Sequence, residues 1–280
     1  MPIARAMPAS STVRRQPRVI GMAARFATEK GVEVLLKAMP AVLEKHPQAL
    51  FQFVGPFKNI MGEEQYFKRL ESEIRKFEEN GNFPNFIIML LPNDHTSGTQ
   101  PGMPTPQAAV ADNDLALGQI VEAISKSKFW KETCILVTED DPQNGLDHVD
   151  GHRTVGLVIS PYTKRGEVVS SYYSQINMVR TIENILGIPP MNQLDLSAEP
   201  MVDCFTGKPD FTPYIAVENN IPLDQLNPSL VSLTGDQLYW AEKSLEQNLD
   251  DIDLIDEDVF NRIIWHAVKG YDRPYPVLSR

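Results

Sequence analysis

Short apolar runs alternate along the chain with longer segments whose apolar residues recur at helical spacing. The run Arg18–Ala24 predicts one strand and Leu50–Gly55 predicts a second. Between them, the segment Val32–Lys45 has the i, i+3, i+4 spacing of a helix. A strand, a helix and a strand in this order form a β-α-β unit, whose crossover implies two parallel strands.

The same alternation continues toward the C-terminus. A charged helical segment, Glu63–Asn80, ends at an Asn-Gly pair, as helices commonly do. A capping box at Thr234 predicts the first of two helices within residues 234–269. The remaining predicted elements are strands Phe86–Leu91, Thr133–Thr138 and Val155–Ser160 and helices at 107–127 and 176–186. The whole pattern predicts an α/β fold, a parallel sheet with helices on both faces.

Charge and composition narrow the choice of partners. The chain has 280 residues and a net charge of −11, which argues against nucleic acid or an anionic membrane as a partner. No apolar stretch is long enough to cross a bilayer, and residues 1–16 lack the apolar region of a signal peptide. We therefore expect a disordered leader at residues 1–16 and, by default, a cytoplasmic protein. The two cysteines form no C-x-x-C motif and no disulfide framework, and the oligomeric state is left open.

Residue types that bind metals cluster where three of the predicted strands end or begin. The clusters are Asn93-Asp94-His95, Glu139-Asp140-Asp141 and the segment Asp147–His152. Open α/β sheets bind their ligands at the carboxyl ends of the strands. Carboxylate and imidazole together suit zinc, manganese or iron, whereas calcium or magnesium would need fewer imidazoles. Each cluster alone would also fit an ordinary polar turn or solvated loop, so the prediction depends on all three together.

Several long motifs surround these clusters, among them LPNDHTSGT, PTPQAAVADND, VTEDDPQNGLDHVDGHRT and SPYTKRG. From about residue 82 to residue 280 the chain resembles the phosphoesterase family within the alkaline phosphatase superfamily. The resemblance implies an alkaline-phosphatase-like fold and hydrolysis of a small-molecule phosphate ester. It also implies a divalent metal cofactor, zinc or manganese, as one ion or as a pair that clamps the phosphate. Members of the family are typically exported by bacteria.

The resemblance also implies roles for individual residues. Asp140 and Asp141 match an acidic pair that grips one metal, and His148 is a further ligand or a phosphate contact. Arg153 would contact a phosphate oxygen or, alternatively, form a structural salt bridge. The implied metal ligands are Asp94, His95, Asp140, Asp141, His148 and His152. No nucleophile and no first strand of the family are recognised before Asn82, so we expect weak activity or none.

A second resemblance covers about fifty residues near the N-terminus. The segment RVIGMAARFATEKGVEVLLKA, followed by FQFVGP, looks like the start of the donor-binding domain of a retaining glycosyltransferase with two Rossmann-like domains. In that family an Arg and a Lys of the strand-to-helix loop contact the sugar-nucleotide diphosphate, and here they would be Arg25 and Lys30. An ordinary polar loop is the alternative, because the later parts of that donor site are not recognised.

The chain therefore looks like a fusion of two incomplete enzymes. We expect a glycosyltransferase-like unit at residues 17–65 and a phosphoesterase-like domain at residues 66–280. The first unit would replace missing strands of the phosphoesterase sheet, which requires Arg18–Met22 and Phe86–Leu91 to share a sheet. Glycosyl transfer and non-catalytic binding of metal or phosphate are the alternative functions.

Overall fold

We describe the fold from a computed structural model. The structure describes the backbone of residues 19–23 and 50–54, isolated positions between 72 and 79, residues 81, 83–91 and 93–139, and residues 153–249 and 254–276. The chain divides into two compact units. One contains the strands that precede Leu91, and the other contains everything described from Leu91 to the C-terminus.

The first unit contains a sheet of three strands in the order β2-β1-β3. They are β1 (Val19–Ala23), β2 (Leu50–Val54) and β3 (Phe86–Met89), and each neighbouring pair is parallel. β1 and β3 therefore share a sheet, as the replacement hypothesis requires. The predicted helix Val32–Lys45 lies outside the described residues.

The second unit contains a two-stranded sheet formed by β4 (Ile135–Thr138) and β5 (Gly156–Ile159). These strands are antiparallel, with Thr138 opposite Gly156, so the prediction that they belong to a parallel sheet is wrong. Both strands are short apolar runs, and an apolar run by itself does not distinguish a parallel neighbour from an antiparallel one. The pairing brings the end of β4 to the beginning of β5. The alkaline-phosphatase-like fold remains a prediction.

Five α-helices lie in the described part of the second unit. They are α1 (Pro106–Lys126), α2 (Gln175–Leu186), α3 (Gln193–Ser197), α4 (Gly235–Leu245) and α5 (Glu257–Lys269). All but α3 occur within a residue or two of the predicted helical segments, and α3 falls in a region without helical spacing. None of the described helices is both long and apolar enough to cross a membrane.

Local capping explains where the long helix α1 begins. The Thr105 hydroxyl accepts a hydrogen bond from the Ala108 N–H at 3.2 Å, and Pro106 occupies the first helical position, where its missing N–H costs nothing. Thr234 is likewise the N-cap of α4, but its side chain makes no capping hydrogen bond, so the predicted capping box there is wrong.

The C-terminal helices α4 and α5 pack against each other around Ser244 and Ile263, which are fully buried. The Trp240 ring stacks on the His266 imidazole with their centroids 4.9 Å apart. His266 is therefore a packing residue. The two helices form a platform on which another part of the second unit rests, as described below.

A second packed corner lies between the segments that follow β5. The Arg165 guanidinium lies 4.1 Å from the centre of the Tyr214 ring and 3.4 Å from the Asp210 carboxylate. Tyr162 and Phe211 meet edge to face at 6.0 Å. The motifs SPYTKRG and DFTPY, at which these residues occur, therefore serve packing in this structure.

Candidate functional site

A single 3-10 turn, Asn93–His95, carries two of the predicted metal ligands, and α1 holds it in place. The Asn113 amide oxygen accepts a hydrogen bond from the Asn93 N–H at 3.2 Å, and its amide nitrogen donates to the Leu91 carbonyl at 2.8 Å. The Asn93 side chain donates to the Asp112 carboxylate. Because α1 bonds the chain on both sides of Pro92, the turn has a fixed position on this helix.

Asp94 is half-buried in this turn, and Glu139 lies near it. Burial raises the pKa of the Asp94 carboxyl above its ordinary value; the His95 charge opposes this rise, and the Glu139 charge adds to it. Asp94 Oδ1 lies 3.8 Å from His95 Nδ1, and the His95 side chain is 54% exposed. Two carboxylates and one accessible imidazole therefore share this part of the unit.

The base of the β4–β5 hairpin is closed by a side-chain hydrogen bond. Glu139 follows β4 directly, and its Oε2 accepts a hydrogen bond from the Thr154 hydroxyl at 2.7 Å. Thr154 lies two residues before β5. In sequence, the predicted ligands Asp140, Asp141, His148 and His152 all lie between Glu139 and Thr154.

The structure describes only part of the predicted site. Asp94, His95 and Arg153 are described, and Arg153 is exposed just before β5. The predicted ligands Asp140, Asp141, His148 and His152 lie outside the described residues, as do Arg25 and Lys30. Among the residues that the structure describes, no three His, Cys, Asp or Glu side chains are grouped so that they could hold a metal ion. The ligand set therefore stays a prediction.

Thr96, directly after His95, has an unusual backbone and an unusual side chain. Its φ is +47°, the left-handed region that a β-branched residue rarely adopts. Its N–H donates to the Asn93 carbonyl at 3.1 Å, which closes the turn, but its buried hydroxyl oxygen has no hydrogen-bond partner among the residues that the structure describes. A backbone held in such a region costs of order 1–3 kcal/mol, and such residues cluster at functional sites.

The loop after Thr96 is fixed by the C-terminal part of the chain. The Thr99 N–H donates to the Ser244 hydroxyl at 3.0 Å. The Asn227 side-chain amide donates to the carbonyl oxygens of Gly98 and Gln100, each at 3.0 Å. The turn is therefore held from one side by α1 and from the other by Asn227 and α4.

Sequence reasoning missed the residues that position this turn. Asn93 and Glu139 belong to the sequence clusters of metal-binding residue types, but neither is among the predicted ligands. Asn113 is not identified as a functional residue by the sequence. Asn113 belongs to the VADND motif, which lies twenty residues after the turn in sequence. The VADND motif was therefore the sequence signal that could have pointed to Asn113. Only the fold shows that the Asn113 side-chain amide makes hydrogen bonds with Asn93 and Leu91.

The fold and the site together define a mixed α/β protein with a carboxylate-rich polar site. A family model described as the Phosphoesterase family matches residues 48–189, which is just over half of the chain and contains the turn, β4, β5 and all of α2. The chain belongs to the Phosphoesterase family. This membership supports, at a coarse level, the hydrolysis of phosphoesters.

A second family model, described as glycosyl transferases group 1, matches residues 5–87. The two matches overlap at residues 48–87, and together they support the predicted fusion of two kinds of enzyme segment. No curated protein matches the chain. No solved structure matches it either.

Proposed function

We propose that the chain hydrolyses small phosphate esters with the help of a divalent cation, zinc or manganese. The observation that carries the proposal is the match of residues 48–189, which contain Asp94, His95 and Glu139, to the Phosphoesterase family. Within this segment the Glu139 charge adds to the rise in the pKa of the Asp94 carboxyl. Two carboxylates near each other repel, and a bound cation would relieve that repulsion. The cation would lie beside the turn Asn93–His95, on the side of Glu139.

The residue types of this site suit a divalent cation, but its described members alone are not grouped closely enough to hold one. Asp94 and Glu139 supply carboxylate oxygens, and His95 supplies an accessible imidazole. The residues that would hold the cation are Asp94, His95, Asp140, Asp141, His148 and His152. When bound, the cation would neutralise charge on the phosphoryl group and polarise it.

The protein's own side chains would orient the ester. Asn113 fixes the turn that presents Asp94 and His95, so their positions do not depend on the ligand. Thr154 holds the Glu139 carboxylate at 2.7 Å, which keeps the hairpin base closed. Arg153, exposed beside it, would bind a phosphate oxygen through its guanidinium.

Hydrolysis of p-nitrophenyl phosphate and of bis(p-nitrophenyl) phosphate tests the proposal. The purified chain is treated with a chelator and assayed before and after zinc or manganese is restored. We expect hydrolysis to rise at least tenfold on metal addition in the wild type. We expect no rise in the double variant Asp140→Ala/Asp141→Ala, because the acidic pair would be lost.

The matched control is Asp258→Asn, which removes an exposed carboxylate that pairs with Arg262 on α5. This variant should respond to metal as the wild type does. Metal binding without any hydrolysis would favour a non-catalytic binding protein instead. Hydrolysis that is indifferent to chelation and to the double variant would contradict the proposal.

Glycosyl transfer is a second candidate, favoured by the match to residues 5–87 and by the parallel pairing of β1 with β2. In this case Arg25 and Lys30 would bind the diphosphate of a sugar nucleotide. Titration with UDP-glucose tests the idea. Binding that is lost in Arg25→Ala and retained in Lys76→Ala would support it, and absence of binding in the wild type would exclude UDP-glucose as the donor.

A further inference from the structure

The platform of α4 and α5 contains a cleft of about 650 Å³. This volume is within the range of roughly 300–1,000 Å³ that small-molecule sites occupy in proteins. The lining combines two aromatic rings with charged and amide side chains, among them Tyr239, Trp240, Gln247, Asp256 and Arg262. None of these residues belongs to the proposed cation site, so the cleft needs an explanation of its own.

Two aromatic side chains form a corner of the cleft. The Tyr239 and Trp240 rings have centroids 5.0 Å apart and an interplanar angle of 80°. The Trp240 ring also stacks on the His266 imidazole, which holds the indole in place from the platform. The Tyr239 side chain is 50% exposed, so a ligand can reach it from solvent. The cleft therefore offers a fixed aromatic surface that is partly exposed.

The polar side chains of the cleft are held in place by the ends of the two helices. Gln247 Oε1 accepts a hydrogen bond from the Asp256 N–H at 2.9 Å, which ties the end of α4 to the beginning of α5. Asp256 Oδ1 in turn accepts from the Val259 N–H at 3.1 Å. A ligand would meet polar groups whose positions are fixed before it binds, which lowers the entropic cost of binding.

The charges of the lining are largely balanced by ion pairs within it. Lys243 Nζ lies 2.6 Å from Glu246 Oε2, and Arg262 Nε lies 2.9 Å from Asp258 Oδ2. An anionic ligand would compete with these carboxylates for the cations, and a cationic ligand would compete with the cations for the carboxylates. A neutral ligand leaves both ion pairs intact, so the lining fits a neutral molecule best.

We propose that this cleft binds a neutral saccharide. A sugar ring has an apolar C–H face, which packs against the negative face of an aromatic ring, and it carries hydroxyl groups around its edge. A hydroxyl both donates and accepts hydrogen bonds, so it suits a lining that contains carboxylate, amide and guanidinium groups together. Tyr239 and Trp240 are the stacking surface, and Gln247 and Asp256 are the partners of the hydroxyls. The inference does not depend on the proposed function, because no residue of the cation site takes part.

Titration with the neutral trisaccharides maltotriose, cellotriose and triacetylchitotriose, followed by calorimetry and saturation-transfer NMR, tests the inference. We expect at least one of them to bind the wild type. Tyr239→Ala removes a stacking ring and should weaken this binding about tenfold, whereas Tyr239→Phe keeps the ring and should bind within about threefold of the wild type. Tyr172→Ala, which removes an exposed tyrosine outside the cleft, should bind as the wild type does.

Gln247→Ala tests the polar side of the cleft and should weaken the binding about fivefold, because a hydrogen-bond partner of the sugar is lost. Thermal unfolding of the same samples shows that each variant is folded. A folded Tyr239→Ala variant that binds the trisaccharide as tightly as the wild type would overturn the assignment.

The remaining outcomes separate the cleft from the proposed cation site. Chelator-treated wild type and Asp140→Ala/Asp141→Ala should bind the trisaccharide as tightly as the untreated wild type. Loss of binding in either sample would overturn the inference, because the sugar would then depend on the cation site. Binding of inorganic phosphate that is lost in Arg262→Ala would indicate a cleft for anions and would overturn it as well. If the wild type binds none of the three trisaccharides, the inference fails, whatever the result of the hydrolysis assay.

Discussion

Gly98 lies so close to Ser244 that a Cβ atom on the glycine would be 2.5 Å from the serine hydroxyl oxygen. The same Cβ would lie 3.1 Å from the Phe260 ring. The loop that follows the candidate site therefore rests directly on the platform of α4 and α5. The C-terminal helices, which carry no recognised ligand, act as the support of this loop.

Gly98→Ala should consequently destabilise the protein by about 2–4 kcal/mol, because the left-handed backbone and the crowding act together. Gly102→Ala is the matched control, since Gly102 also has a positive φ, at 75°, but its Cβ would meet no atom within 4 Å. Urea unfolding should give a loss of only about 1 kcal/mol for this control. Equal losses for the two variants would contradict the contact with Ser244.

Asn113→Ala should weaken cation binding without unfolding the chain. The variant loses the hydrogen bonds to the Asn93 N–H and to the Leu91 carbonyl, so the turn is no longer fixed on α1. Removal of a positioning group of this kind typically lowers metal affinity 10–100-fold. Titration with zinc or manganese measures the effect, and Asp114→Ala, an exposed neighbour on the same helix, serves as the control. Unchanged affinity in Asn113→Ala would show that the turn needs no such support.

Asp195 should make stability depend on acid pH. Burial alone would raise the pKa of its carboxyl, but hydrogen bonds from the N–H groups of Asn192 and Met191 outweigh burial and hold the pKa below the ordinary value of 3.8. The group therefore contributes stability that is present above pH 3.8 and is lost as the pH falls through its lowered pKa.

Asp195→Asn removes this contribution. At neutral pH the unfolding free energy of the variant should be lower than that of the wild type. As the pH falls, the unfolding free energy of the variant should decrease less than that of the wild type. Chemical unfolding between pH 7 and pH 3 measures both, with Asp258→Asn as an exposed control. Parallel pH profiles for Asp195→Asn and the wild type would contradict this assignment.

Arg165 should matter for stability and not for the chemistry of the site. Arg165→Lys loses the guanidinium that lies 4.1 Å from the centre of the Tyr214 ring, so we expect a loss of about 1 kcal/mol in unfolding free energy. Arg273→Lys, an exposed substitution, should change the unfolding free energy by less than about 0.5 kcal/mol. Hydrolysis per folded molecule should be the same in both variants. A loss of hydrolysis in Arg165→Lys alone would contradict this prediction and would indicate that the SPYTKRG motif is part of the functional site.

Local sequence signals predict much of the second unit. Helix α1 begins one residue before the predicted segment, at Pro106, with Thr105 as its N-cap, and α2 ends at the predicted Leu186, where Gly187 adopts a left-handed backbone with φ at 66°. These features depend on residues within one turn of the helix end. Apolar spacing likewise locates all five described strands to within about two residues.

The remaining features depend on contacts between distant parts of the chain. The antiparallel pairing of β4 with β5 joins residues such as Thr138 and Gly156 that are distant in sequence, and the apolar runs contain no information about its direction. Asn113 bonds to a carbonyl 22 residues away, and Gly98 packs against Ser244, which is just over half of the chain length away in sequence. At Thr96 the folded structure overrides the local preference of a β-branched residue, so its strain could not be predicted from the sequence.

Metal content and phosphoester hydrolysis, measured on one purified sample, test the central claim most directly. Elemental analysis of the wild type should find zinc or manganese, and the same sample should hydrolyse p-nitrophenyl phosphate in a reaction that a chelator stops. Asp140→Ala/Asp141→Ala should lose both the metal and the hydrolysis. A wild type that contains and binds neither metal, or that hydrolyses the ester equally well after chelation, would contradict metal-dependent phosphoester hydrolysis by this chain.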